Sequence, residues 1–127
     1  MTVAPEQIEQ ANLIRWTQQP EVRRRYPDLK LLYHVPNERK CTPAQGQMLK
    51  RLGVKSGVPD LCLPVPRGGY HGLYIELKSP EKSARASANQ TWWVEELISQ
   101  NYAACVCNGW EVARDTILRY MTMEDDT

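Results

Sequence analysis

Apolar residues fall at Ile8, Ala11, Leu13, Ile14 and Trp16. That three-to-four residue spacing predicts a helix from Pro5 to Gln19, with Pro5 in the first turn, where a missing amide hydrogen costs nothing. Pro20 is expected to stop it. After a basic run at Arg23, Arg24 and Arg25, the segment Leu29 to Val35 is rich in Leu, Tyr and Val and reads as a strand ending at Pro36. A second helix, opened by Cys41 or Thr42, runs from Pro43 to Leu52, with Gly53 just beyond its last periodic residue.

Between Gly53 and Gly69 glycine and proline recur so closely that only short strands fit. Two are predicted, Asp60 to Val65 and Gly72 to Lys78, joined as a hairpin through Arg67 to Tyr70. Pro80 ends the second. A polar Lys, Ser and Ala loop then leads to a third helix, Ser87 to Asn101, whose Trp93, Val94, Leu97 and Ile98 are expected to face the core. Tyr102 to Cys107 reads as a strand, Asn108-Gly109 as a turn, and Trp110 to Met121 as a final helix before an acidic tail expected to fray. The resulting order predicts an α/β layer fold, with a central sheet covered by helices on both faces and functional groups near strand ends.

Composition narrows the function. The 127 residues carry 16 Lys plus Arg against 15 Asp plus Glu, so bulk charge cannot coat a polyanion and any such partner must meet a local patch. One domain over residues 1–127 is expected from the length. No run approaches a membrane span, and the polar opening Met1 to Gln10 is unlike a signal peptide, so a soluble cytoplasmic protein is expected. Cys41, Cys62, Cys105 and Cys107 form no CxxC pair and read mainly as buried reduced thiols.

The chemistry concentrates in Gly57-Val58-Pro59-Asp60-Leu61 and Tyr74-Ile75-Glu76-Leu77-Lys78. Alternation along a strand puts Glu76 and Lys78 on one side and Ile75 and Leu77 on the other, apolar side. If the hairpin brings Asp60 opposite Glu76, the two carboxylates can share a hard divalent cation such as Mg²⁺. In phosphodiester hydrolysis such an ion neutralises phosphate charge and acidifies water, while Lys78 can orient that water or stabilise negative charge. Glu76 and Lys78 could equally form a solvated pair on an exposed strand, and Pro59-Asp60 is ordinary turn chemistry. The placement of both carboxylates on apolar strands in mid-chain favours a site.

These residues, together with Pro36-Asn37-Glu38, the run Gly53 to Leu61, the run Gly69 to Lys78, Gln90 with Trp93, and Cys107-Asn108-Gly109, closely resemble the VRR-NUC group of virus-type replication and repair nucleases within the PD-(D/E)xK superfamily. The resemblance spans nearly the whole chain and implies a restriction endonuclease-like core, a mixed β-sheet flanked by α-helices. It implies further that Asp60, Glu76 and the Leu77 carbonyl hold Mg²⁺ or Mn²⁺, that Lys78 assists catalysis, and that Gln90 belongs to the active site. An acidic residue of the first helix often joins such sites. Glu6 and Glu9 share a helix face, and Glu6, followed four residues later by Gln10, matches the family pattern better. Acidic residues also suit a first helical turn without any catalytic role.

Asn37, Arg39, Lys40, Lys55, Lys82 and Arg85, with Lys50 and Arg51, are candidate DNA contacts that would position a backbone without reading bases. Glu38-Arg39-Lys40 departs from the family's usual glycine-containing continuation. His71 reads as structural or surface, and Trp93 as core. The expected activity is hydrolysis of DNA phosphodiesters by water, on branched or four-way junction DNA, by a homodimer. Its rivals are a DNA-structure-binding protein on a disabled nuclease fold and an intracellular protein-interaction scaffold.

Overall fold

The computed structural model describes residues 4–36, 42–81 and 84–124. Helix α1 (Pro5–Thr17) leads directly into a short helix α2 (Pro20–Arg25). Pro20 does not simply end a helix as expected. It sits in the first turn of a new one behind an extended Gln19, the position where proline's fixed φ is an advantage.

The predicted strand Leu29–Val35 is also corrected. Pro27–Leu31 is a 3-10 turn that drops Leu29 into the core as an anchor, leaving only Tyr33–His34 as strand β1. Helix α3 (Pro43–Arg51) is capped by Thr42, whose side chain accepts from the Gln45 amide at 3.2 Å while Gln45 returns a bond to Thr42. Strands β2 (Leu61–Leu63) and β3 (Leu73–Lys78), helix α4 (Ala88–Ser99), strand β4 (Ala103–Asn108) and helix α5 (Trp110–Met121) follow.

The four strands form one mixed sheet in the order β1-β2-β3-β4, antiparallel at the first two pairings and parallel at the third. Leu61, Leu63, Leu73, Ile75, Leu77 and Cys107 line one face and pack on Leu13 of α1 and on Ala113, Ile117 and Tyr120 of α5. Alternation sends Glu76 to the other face, where α4 lies. The result is a sheet flanked by helices on both faces. Tyr120 fastens α5 to the β2–β3 connection by donating to the Val65 carbonyl at 2.6 Å.

The α4 side is thinner than expected. Trp93, Val94 and Leu97 are half-buried rather than core, and Ile98 is 52% exposed, because α4 packs mainly on the edge strand β4. Among the described residues no helix is long and apolar enough to cross a membrane.

Candidate active site

The register Leu61↔Ile75, carried on by one residue, sets Asp60 opposite Glu76 at the open end of the β2–β3 pair. There Asp60 replaces the next rung of the ladder. Its Oδ2 accepts from the Leu77 amide at 2.8 Å, while its carbonyl accepts from Val35 N at 2.6 Å and from the His34 ring at 3.0 Å. Because a carbonyl can only accept, His34 Nδ1 carries the hydrogen. Asp60 is thus held on three sides before any ligand arrives.

Glu76 is 2% exposed, which excludes the solvated strand pair allowed by sequence. Its Oε1 accepts from Gln90 Nε2 at 2.7 Å and lies 3.6 Å from Lys78 Nζ, whose side chain is itself 15% exposed. Gln90 serves two elements. Its Oε1 accepts from the Ser87 amide at 2.8 Å to complete the cap of α4, which turns its NH₂ group toward Glu76. The α4 cap and the carboxylate are therefore set by one side chain.

A second fastening holds the loop that delivers Asp60. Asn89 donates to Ser56 Oγ at 2.6 Å and to its carbonyl at 3.2 Å, and Trp93 Nε1 donates to the same carbonyl at 3.0 Å. Gly57, at φ +85°, approaches Asn89 so closely that a Cβ would meet the Asn89 backbone carbon at 3.0 Å. The run Gly53 to Asp60 is thus tied to the start of α4, beside Gln90.

Helix α1 closes the opposite wall. A cavity of about 290 Å³ is lined by Glu6, Gln7 and Gln10 from α1, with His34, Asp60, Glu76, Leu77, Lys78 and Gln90. Glu9 turns elsewhere: its Oε1 accepts from the Trp110 amide at 3.0 Å and caps α5. Burial pushes the Asp60 carboxyl above its ordinary value of 3.8, opposed by the Leu77 amide, the neighbouring Glu76, His34 and Lys78. Two carboxyl groups sharing one hydrogen-bonded corner suit a cation better than they suit each other.

The donor set fits a hard divalent ion: two carboxylates, with the Leu77 carbonyl on the same strand, as Mg²⁺ needs only one or two carboxylates beside phosphate and water. Among the described residues no group of three or more His, Cys, Asp or Glu side chains is placed to hold a metal ion.

The outlying candidates are distributed as follows. Lys55 and Arg85 are exposed, and His71 is exposed with an edge contact to Tyr102 at 5.4 Å. Asn37, Arg39, Lys40 and Lys82, like Glu38 and Cys41, lie outside the described residues. Sequence reasoning missed His34, whose two-residue strand gives no periodic signal, and the Ser56–Asn89 tie, which joins residues 33 apart.

A mixed sheet whose strand ends present Asp60 against Glu76-Leu77-Lys78, flanked by helices on both faces, defines a restriction endonuclease-like nuclease core. The VRR-NUC domain family matches residues 4–111, and the chain belongs to that family. A solved structure described as a VRR_NUC domain protein has a TM-score of 0.80 and 27% identity, covering 99% of this chain and 96% of that one. No curated protein matches the chain.

Proposed function

We propose that this chain is a Mg²⁺- or Mn²⁺-dependent endonuclease that hydrolyses DNA phosphodiesters, preferring branched or four-way junction DNA and working as a homodimer. Family membership supports nuclease chemistry in general. The observation that carries the finer reading is the buried corner where Asp60 faces Glu76, with Lys78 Nζ 3.6 Å from Glu76 Oε1.

In this reading Asp60, Glu76 and the Leu77 carbonyl hold the ion, which when bound supplies charge neutralisation at the phosphate and a more acidic water. Asp60 is fixed by the Leu77 amide and Glu76 by Gln90, so neither carboxylate must reorganise to bind. Lys78 presents its ammonium beside Glu76, where it can orient the attacking water or stabilise charge on the pentacovalent phosphate. Glu6, on the far wall, faces the same cavity and can hold water or a second ion. Attack is direct, with no covalent enzyme intermediate.

The test is cleavage of linear, flap and four-way DNA in Mg²⁺ by wild type and Lys78→Ala. Wild type is expected to cut a branched substrate. Lys78→Ala, folded normally by circular dichroism, is expected to lose at least about a hundredfold in rate. Equal rates would remove Lys78 from the mechanism. A well-folded wild type that binds these DNAs but cuts none would instead be a structure-binding protein.

A further inference from the structure

Helix α3 has no buried side chain. Nine-residue helices are marginal in water, and most gain their stability by packing an apolar face. This one is held at its ends instead. The Thr42/Gln45 box caps its start, and at its finish Val54 N donates to the Leu49 carbonyl at 2.9 Å and Gly53 N to the Lys50 carbonyl at 3.0 Å, with Gly53 at φ +94°. A helix so fixed presents a surface without spending it on the core.

That surface is unusual. Ala44, Met48 and Leu52, spaced four apart, share one face, and Met48 and Leu52 are 51% and 73% exposed. Arg51 is three residues from Met48 and adjoins it. From Cys41 to Pro59 the chain has Lys50, Arg51 and Lys55 and no Asp or Glu, a local charge of three in a chain whose total is +1. Two copies of such a face would repel, whereas a polyphosphate backbone complements it. The helix also runs into the loop, tied to Asn89, that delivers Asp60 to the cavity.

We infer that α3 is a DNA-docking helix of the proposed nuclease, with Lys50, Arg51 and Lys55 on phosphates and Met48 and Leu52 as an apolar wedge at an interrupted base stack. Met and Leu are side chains that proteins insert between base steps, and the cost of doing so is least where stacking is already broken. The occupant is therefore DNA with a discontinuity, at a branch or at a boundary between single and double strand. The inference rests on the nuclease reading for its substrate, and it makes α3 the element that selects that substrate.

Metal-free binding to a fluorescent four-way junction and to a linear duplex of equal length tests it with the full chain. Met48→Ser/Leu52→Ser is expected to weaken junction binding about tenfold or more while changing duplex binding less than about threefold. Lys50→Ala/Arg51→Ala is expected to weaken both and to reduce the slope of log K against log salt by about 2. Equal losses on both DNAs for the serine pair, or none, would overturn the wedge. So would conversion of a dimer to a monomer by the serine pair with no change in DNA preference, since the face would then belong to a second copy. Metal-free binding separates this result from the nuclease reading: wild type that discriminates the junction through Met48 and Leu52 yet never cuts it in Mg²⁺ would sink the latter alone.

Discussion

Asp60 carries opposed demands. Its carboxyl is pushed above 3.8 by burial, so the folded chain holds a proton there that the unfolded chain has already released. Metal-free stability contributed by this group is therefore fully present below pH 3.8 and declines as pH rises through the folded value. A divalent ion held as proposed would reverse the trend, because it would bind the carboxylate and compete with the proton. The expected outcome is a thermal shift on adding Mg²⁺ that is near zero below pH 3.8 and grows as pH rises through the folded value. In Asp60→Asn the shift itself should shrink at every pH; if it persists unchanged, the ion binds elsewhere. Gln90 offers a second residue-scale test. Gln90→Ala removes both the α4 cap and a donor to a buried carboxylate, which should cost about 2 kcal/mol in urea denaturation as well as activity. Gln90→Glu should keep the cap but set a carboxyl against Glu76, moving the cleavage optimum to higher pH. That Glu76 and Lys78 share one side was legible from strand alternation, whereas the pairing with Asp60 hung on the register the hairpin adopts, and Gln90 was singled out only through family resemblance. One of its hydrogen bonds closes the α4 capping box with Ser87, and the other reaches Glu76 on β3, which no local pattern reveals.

Helix α1 shows what an element adds to its residues. Glu6 and Glu9 lie three apart on one face, so periodicity alone could not choose between them. The fold separates them through a contact over 101 residues: Glu9 is drawn to the Trp110 amide, leaving Glu6 at the cavity. Glu9→Ala should therefore lower stability by about 1 kcal/mol in chemical denaturation, with Mg²⁺ affinity nearly intact. Glu6→Ala is expected to do the opposite, leaving stability unchanged and slowing cleavage. A Glu9 variant that loses activity at full stability would reverse the two assignments. The same locality explains which elements sequence reading recovered. Helices α3 and α5 and strand β3 carry their own caps, glycines or alternation. Helix α2 and the 3-10 turn do not, because Pro20 reads as a terminator when it begins a new turn, and Leu29 is placed by the core rather than by a strand.

At the scale of the molecule, the cavity of about 290 Å³ between α1 and the sheet end is lined by a single set of Asp60, Glu76 and Lys78. Under the proposed function, cutting both strands at a junction in one encounter would take two chains, each with its own Asp60, Glu76 and Lys78. The near-neutral charge fits the same proposal, since basic contacts confined to a few segments would cover more DNA when doubled by symmetry. Mixing wild type with Lys78→Ala separates the alternatives, because the variant is expected to bind DNA but not cut. If the active species is a freely exchanging dimer, paired cleavage in a cruciform plasmid should fall with the square of the wild-type fraction. An equal mixture would then retain about a quarter of the paired product, with nicked circles accumulating in its place. A fall in simple proportion to wild type, with no excess of nicks, would show that one chain performs both cuts. The cavity would then have to release and recapture a second strand, and the homodimer would no longer be needed.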